Sequence, residues 1–132
     1  MIQVPEKLQD LLTDEKKAYA YLATAMSDGS PQVTPIWFNT DGEYILINSA
    51  EGRVKDRNMR ARATVALCIA DSADPYRYIQ IRGKVVEITA EGADAHIDAL
   101  AFKYLGAEKY PMRNPAEKRV TYKILPIKIN AL

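Results

Sequence analysis

Cysteine and histidine are nearly absent from this chain, which has one of each in 132 residues. Cys68 is the only cysteine, so no disulfide bond can form within the chain, and its place in the apolar run TVALCIA favours a small buried side chain over a reactive thiolate. No cluster of cysteine and histidine has metal-ligand spacing, so we expect no metal site. His96 is expected at a helix surface or boundary rather than in catalysis.

The chain also lacks an excess of charge and any long apolar run. Its 18 basic and 17 acidic side chains give a net charge of +1, whereas a general nucleic-acid binder usually has a clear basic excess. The segment MIQVPEKLQDLL has no basic stretch followed by an apolar core, so no secretory signal is expected, and no run is long enough to cross a bilayer. We therefore expect a cytoplasmic protein with no nucleic-acid partner and no membrane span.

The apolar residues, 48% of the chain, suffice for the core of one domain over residues 1–132. Asp-Gly pairs in SDGS and TDGE are typical of tight hairpin turns and join three strands into an antiparallel meander. The predicted strands cover residues 18–26, 31–39, 44–50, 63–71, 76–89 and 119–132. Predicted helices cover residues 5–12 and 93–105, and a third, short helix lies between 49 and 63. The fold class is mainly β, an antiparallel six-stranded barrel with a few short helices.

Two residues inside the predicted strands indicate irregular pairing. Gly83 stands in the middle of a long strand, where glycine often marks a bulge or bend. Pro126 in the final strand favours an edge or a bulge, because proline cannot donate to the ladder.

Against this neutral background, the segment SAEGRVKDRNMRARA at 49–63 concentrates five basic residues against two acids. As a helix it is polar around most of its circumference, so burial does not explain it. Its start collects Ser49, Gly52, Arg53 and Lys55 beside the free N–H groups of the first turn, an arrangement suited to an anion such as phosphate. A solvated helix face explains the same charges equally well, above all for Arg57, Arg60 and Arg62.

Nucleic-acid binding is a further alternative, since Trp37, Tyr76 and Tyr78 could stack on bases. It is disfavoured because the net charge is slight and no RNP-like motif occurs. The chain also has no GxGxxG or Walker-type glycine loop, which argues against a Rossmann or P-loop fold.

Three segments in this order, SDGSPQVTPIWF, SAEGRVKDRNMRARATVAL and DPYRYIQIRGKVVEI, closely resemble the pyridoxamine-phosphate-oxidase-like flavin and deazaflavin oxidoreductases. Within that superfamily the chain is most similar to a small branch of enzymes that depend on coenzyme F420. The most specific part of the resemblance is the S-x-x-G-R-x-K-x-R-N run from Ser49 to Asn58. The resemblance covers nearly the whole chain and implies a homodimeric split β-barrel with two cofactor sites at the interface.

The resemblance also implies roles for individual residues. Ser49, Arg53 and Lys55 would bind the cofactor phosphate, with Asn58 behind them. The strand PQVTPIWF would lie beside the isoalloxazine-like ring, through the residues Gln32, Val33, Thr34, Pro35 and Trp37. The second subunit would complete the pocket through Tyr76 and Tyr78.

For four of these residues a structural role competes with the implied one. Pro35 also fits a bend in the barrel. Trp37 fits the core or a dimer interface as well as a ring contact. Tyr76 and Tyr78 would alternate to one face of their strand, which suits packing as well as a shared pocket.

F420 is the expected cofactor and FMN the alternative. The vitamin B6 oxidases of the superfamily have an R-x-x-L-L-K signature that this chain lacks, so oxidation of pyridoxamine phosphate is not expected. The resemblance implies hydride transfer between the cofactor and a small conjugated acceptor; flavin reduction, oxidase chemistry and non-catalytic cofactor binding are the alternatives. No catalytic residue is identified, and Tyr78 is only a candidate donor to the acceptor. Arg57 and Arg60 could contact the anionic tail of F420.

Overall fold

A computed structural model describes residues 2–131 of the chain. Along these residues lie seven strands, two α-helices and one 3₁₀ helix. Their bounds are Glu6–Leu12 for the 3₁₀ helix, Tyr19–Ala25 (β1), Pro31–Ile36 (β2), Phe38–Thr40 (β3), Ile45–Ala50 (β4), Val54–Ala61 (α1), Thr64–Ala70 (β5), Tyr78–Thr89 (β6), Ala93–Leu105 (α2) and Arg119–Ala131 (β7). The final strand was expected over 119–132, and its last residue, Leu132, lies outside the described residues.

All seven strands form one antiparallel sheet in the order β2-β1-β5-β6-β7-β4-β3. The two outermost strands, β2 and β3, are consecutive in the chain with only Trp37 between them. The sheet therefore curls until its edges meet at Trp37. The prediction of a mainly β, antiparallel, barrel-like fold with a few short helices is confirmed.

The strand count differs from the predicted six because the strand expected over 31–39 is interrupted at Trp37. The backbone of Phe38, just after the break, is held by α2. Lys103 Nζ donates to the Phe38 carbonyl at 2.7 Å, and the Tyr104 hydroxyl lies 3.3 Å from both the N–H and the C=O of Phe38. Side chains of a helix thus provide hydrogen bonds at this corner, where the chain turns from one edge strand into the other.

The core fills the inner face of the curled sheet. It follows the alternation of the strands, since every second residue of β5 and of most of β6 is buried. The largest fully buried side chains are Leu11, Leu22, Phe38, Ile45, Ile47, Met59, Leu67, Ile69, Ile79, Ile81, Leu100 and Tyr122.

Gly83 and Pro126 lie at one bulge between β6 and β7, as both residues predict. Arg82 pairs with Lys128 whereas Gly83 pairs with Pro126, so Ile127 is left without a partner in the register. A Cβ on Gly83 would lie 2.8 Å from Ile124 Cγ2 and 2.9 Å from the Leu125 carbonyl oxygen. Only glycine fits this close approach, which lets the long strands bend.

The helix α2 packs against β7 and β4, and its bounds match the predicted 93–105. It buries Ile97, Leu100 and Ala101, three of the residues whose spacing predicts the helix. Glycines in the left-handed conformation flank it, Gly92 at φ 74° and Gly106 at φ 70°. No helix within residues 2–131 combines the length and apolar character that a bilayer span requires.

Candidate functional site

A cleft of about 310 Å³ opens where the β2–β3 corner, the end of β4, the start of α1, the helix α2 and the segment 106–119 meet. It is lined by Tyr19, Pro35, Ile36, Trp37, Asn48, Ser49, Arg53, Lys55, Ile97, Tyr110, Met112 and Arg119. Five of the predicted cofactor-binding residues are therefore brought together here, namely Pro35, Trp37, Ser49, Arg53 and Lys55.

Two buried polar groups of the cleft have no hydrogen-bond partner within residues 2–131. They are the Ser49 hydroxyl and Nη1 of Arg119, and the two residues are only 1% and 8% exposed. Both residues line the cleft, Ser49 near the end of β4 and Arg119 at the start of β7, the strand that pairs with β4. Burying such groups without partners is costly, so their presence in a cleft indicates a ligand that accepts hydrogen bonds.

Arg119 is held by hydrogen bonding and aromatic contact, with Glu117 Oε1 3.6 Å from its Nη1. Its Nε donates to Asn48 Oδ1 at 2.9 Å, and its guanidinium lies 5.3 Å from the centre of the Tyr110 ring. Burial lowers the pKa of Arg119 below its usual range, but an arginine remains charged at neutral pH.

Asn48 connects Arg119 to His96 on α2. The Asn48 amide donates to the Ala93 carbonyl at 2.9 Å and lies 3.2 Å from His96 Nδ1. His96 Nε2 lies 2.9 Å from Asn39 Oδ1, an acceptor, so Nε2 carries the proton and Nδ1 accepts. Burial, with a smaller effect of the Arg119 charge, lowers the pKa of His96 to about 4. The histidine is thus a neutral, half-buried support, in agreement with the predicted boundary position.

Lys55 and Arg53 add positive charge at the start of α1. Lys55 is half-buried, and its pKa is lowered first by desolvation and then by the positive charges of Arg53 and Arg119. Arg53 Nη2 contacts Glu117 Oε2 at 2.6 Å. Three cations, Arg53, Lys55 and Arg119, therefore lie together in the cleft and form a cation cluster.

The chain reaches α1 through Gly52, whose φ of 93° few other residues adopt. The first backbone hydrogen bond of the helix runs from the Arg57 N–H to the Arg53 carbonyl at 3.0 Å. The N–H groups of residues 54–56 precede it and are not used inside the helix. They add the positive end of the helix to the cation cluster, as the sequence predicts.

An aromatic wall also lines the cleft. The Trp37 ring stacks on Tyr104 at 5.2 Å between centroids and 12° between planes, and Tyr104 stacks in turn on Tyr19 at 5.2 Å. Tyr110 meets Trp37 edge-on at 6.2 Å. The Tyr104 hydroxyl donates to the Ala18 carbonyl at 2.6 Å, which anchors the stack to the strand end. Trp37, Tyr19 and Tyr110 thus bring aromatic surface into the same cleft as the three cations.

Several predicted site residues lie outside this cleft. Gln32 and Asn58 belong to an inner polar network: Asn58 Nδ2 donates to the Thr24 hydroxyl at 3.0 Å, and that hydroxyl donates to Gln32 Oε1 at 2.9 Å. Val33 is 65% exposed on the outer sheet face, and the Thr34 hydroxyl is buried without a partner within residues 2–131. Their predicted cofactor contacts stay predictions.

Tyr76 and Tyr78 do not alternate along one strand, because β6 begins at Tyr78. Tyr76 lies in the preceding turn, where its N–H donates to Asp74 Oδ1 at 3.1 Å, and it is 78% exposed. Neither tyrosine lines the cleft of its own chain. The contribution to a second subunit's pocket stays a prediction.

Four residues that line the cleft, Arg119, Asn48, Tyr110 and Met112, are not among the site residues predicted from the sequence. Arg119 is about seventy residues from Asn48 in the chain, and only the β4–β7 register brings them together. Tyr110 and Met112 stand in a segment without regular structure. No spacing in the sequence could have indicated these residues.

The chain matches the family model described as pyridoxamine 5'-phosphate oxidase over residues 4–131. A solved structure named "F420 Reductase" is 34% identical, covers 96% of this chain and 98% of its own, and superposes with a TM-score of 0.83. A conserved hypothetical protein from Mycobacterium tuberculosis is 22% identical, covering 98% of this chain and 85% of its own at a TM-score of 0.75. No curated protein sequence matches the chain significantly.

The family match spans nearly all of the described residues, and the F420 reductase structure is similar over almost its whole length. The observed fold and these similarities agree. The chain belongs to the pyridoxamine 5'-phosphate oxidase family, and its similarity to the F420 reductase places it beside an F420-related branch of that family.

Proposed function

We propose that the chain is an oxidoreductase that binds the deazaflavin cofactor F420, with the cofactor phosphate held by Ser49, Arg53, Lys55 and Arg119. The observation that carries the proposal is the pair of buried groups that find no hydrogen-bond partner within residues 2–131, the Ser49 hydroxyl and Arg119 Nη1, in the same cleft as Lys55.

The chemistry of the donors fits a phosphate. A phosphate offers only acceptor oxygens and negative charge, and the cluster offers guanidinium and ammonium donors with a hydroxyl. The helix start contributes backbone N–H groups at the same place. A neutral ligand would leave three converging positive charges with a single acid, Glu117, to compensate them.

The rest of the cleft fits a flat ring. Trp37, held by its stack on Tyr104, and Pro35 on β2 give a rigid apolar wall next to the phosphate site. The wall and the cluster lie in the same cleft, which suits a ligand with an aromatic ring at one end and a phosphate at the other.

F420 is favoured over FMN by the 34% identity to the structure named "F420 Reductase". Bound F420 supplies hydride transfer, so the chemical step needs no nucleophile from the protein. The residues of this chain bind the phosphate, fix the register of the ring and bring a small conjugated acceptor close to it, which lowers the entropic part of the barrier. His96 takes no part in proton transfer, because both its nitrogens are engaged with Asn39, Asn48 and Thr121.

A homodimer is part of the proposal. The outer face of β1, β2 and β5 is apolar: Tyr21 pairs with Pro35 on one side and with Cys68 on the other, and Tyr21 and Val33 are 45% and 65% exposed. Pro35 belongs both to this face and to the cleft, so a second copy on the face would border the cofactor site.

Val33→Asp should convert a dimer, measured by light scattering, into a monomer with weaker cofactor binding.

Titration of the purified protein with F420 and with FMN, followed by quenching of cofactor fluorescence, tests the cofactor assignment. Saturable tight binding of F420 is expected. Tight binding of FMN with no response to F420 would transfer the proposal to a flavin enzyme. Hydride transfer from the reduced cofactor to a panel of enones and quinones then separates an enzyme from a protein that only binds the cofactor.

A further inference from the structure

The cation cluster of the cleft contains one acid that the cofactor assignment does not use. Glu117 lies on the segment before β7, with Oε2 at 2.6 Å from Arg53 Nη2 and Oε1 at 3.6 Å from Arg119 Nη1. Its carboxylate thus lies between two of the three cations that line the cleft. Glu117 is the only carboxylate within residues 2–131 that forms an ion pair with either arginine.

A carboxylate in this place presents the same chemistry as the expected ligand. Carboxylate and phosphate oxygens both accept charge-assisted hydrogen bonds from guanidinium groups, and both prefer the fork of N–H groups that arginine offers. Glu117 and a phosphate would therefore compete for the same donors of Arg53 and Arg119.

The charges make the competition unequal. Arg53, Lys55 and Arg119 carry three positive charges and Glu117 one negative charge. Burial first, and then the charges of Arg53 and Arg119, lower the pKa of Lys55. A phosphate dianion can satisfy all three cations, whereas Glu117 contacts two of them. With Glu117 in place, an incoming phosphate would also meet a like charge a few ångströms away.

The surroundings of Glu117 allow its side chain to leave without moving the backbone. Its own N–H donates to the Asn114 carbonyl at 2.9 Å, and the next residue, Lys118, accepts from the Glu51 N–H at 2.8 Å. The Glu117 side chain is 24% exposed and that of Arg53 is 48% exposed. A rotation of the Glu117 side chain towards water is therefore enough to release Arg53.

We propose that Glu117 is an internal competitor of the cofactor phosphate, which occupies Arg53 and faces Arg119 until a phosphate group displaces it. The residue thereby sets the affinity of the site for phosphate-bearing ligands. This inference rests on the proposed phosphate site, but it does not depend on which cofactor brings the phosphate.

The test uses inorganic phosphate as the probe, with Glu117→Gln, wild type and the matched control Glu51→Gln. Glu51 forms an exposed pair with Lys118 at 3.5 Å and contacts none of the three cations. Binding is measured as the rise in Tm with phosphate concentration at constant ionic strength, set with chloride. Glu117→Gln should bind phosphate about tenfold more tightly than wild type, which corresponds to about 1.4 kcal/mol, and Glu51→Gln should match wild type.

Equal or weaker phosphate binding by Glu117→Gln would overturn the inference, because Glu117 would then hold Arg53 in a productive pose instead of competing for it. That result would leave the cofactor assignment to the F420 and FMN titrations of wild type. If neither cofactor binds and Glu117→Gln still gains phosphate affinity, the cofactor assignment fails and the role of Glu117 stands.

A crystal structure with bound phosphate should show the Arg53–Glu117 contact opened beyond 4 Å, and an intact contact would count against displacement.

Discussion

The two halves of the basic segment 49–63, residues 49–55 and residues 56–63, both carry basic side chains but have different partners in the fold. In the second half, Asp56 Oδ1 accepts from Arg60 at 2.9 Å and from the Tyr122 hydroxyl at 2.6 Å, and Arg62 Nε donates to the Ala25 carbonyl at 2.8 Å. In the first half, the Ser49 hydroxyl has no hydrogen-bond partner within residues 2–131, and burial followed by the charges of Arg53 and Arg119 lowers the pKa of Lys55.

The difference separates a structural role from a ligand-binding role. Arginines whose donors are satisfied inside the chain contribute to folding and gain little from a ligand. Cations and hydroxyls that the fold buries without partners lower its stability, and a ligand recovers that loss when it binds.

The largest effect is expected from Asp56→Ala in the second half. Asp56 is 1% exposed, and its loss leaves the buried Tyr122 hydroxyl and the Gly52 N–H without their acceptor. The free energy of unfolding should fall by about 4 kcal/mol, measured by urea denaturation. The exposed Glu51→Ala serves as control and should lose less than about 0.5 kcal/mol. A similar small loss for Asp56→Ala would remove the structural half of the comparison.

The second effect is a pH dependence through His96, which supports Asn48 and Arg119. Its pKa is lowered by burial from 6.5 to about 4, so the unfolded chain takes up a proton first as the pH falls. Stability from this group is complete above pH 6.5 and is lost as the pH falls towards 4, by up to about 3 kcal/mol. The slope of unfolding free energy against pH between 4 and 6.5 should flatten in His96→Gln. An unchanged slope would show that another group titrates there.

Smaller effects on stability, but clear effects on binding, are expected in the first half. Arg53→Ala, Lys55→Met and Arg119→Met should each weaken cofactor binding by roughly 1–3 kcal/mol in fluorescence titrations. Lys55→Met should also raise the free energy of unfolding, because it removes a half-buried charge whose electrostatic neighbours are both positive. Affinity unchanged in all three variants would refute the phosphate anchor.

The smallest effect is expected at Arg57, near the start of the second half. Its side chain is exposed, and Nη1 donates to the Gly52 carbonyl at 2.6 Å. Arg57→Ala should change the free energy of unfolding by less than about 0.5 kcal/mol. The affinity of this variant for F420, measured by fluorescence titration, should equal that of wild type. A large loss would assign Arg57 to the anionic tail of F420.

Most of the fold could be predicted from local patterns in the sequence. The Asp-Gly turns at 28–29 and 41–42, the helix spacing over 93–105 and the bulge at Gly83 all follow from backbone chemistry of single residues or short runs. The break at Trp37 could not be predicted, because it is stabilised by Lys103 and Tyr104, more than sixty residues further along the chain.

The candidate site could be predicted only where its residues are close in sequence. Ser49, Arg53 and Lys55 form one motif, and the fold places all three in the cleft. Arg119 enters through the register of β4 with β7, and charge alone could not distinguish it from the other basic residues. The same limit explains Asn58, whose motif position indicates the phosphate site but whose amide bonds to Thr24 in the inner network.

The most direct test of the phosphate anchor compares each cofactor with its own chromophore lacking the phosphate, by fluorescence titration of wild type and Arg119→Met. Riboflavin is the partner of FMN, and the dephosphorylated deazaflavin chromophore is the partner of F420. For the cofactor that binds, the phosphorylated form should bind wild type at least about 100-fold more tightly than the form without phosphate, and Arg119→Met should lose most of that ratio. Equal affinity of the two forms for wild type, or a ratio that survives in Arg119→Met, would contradict the account.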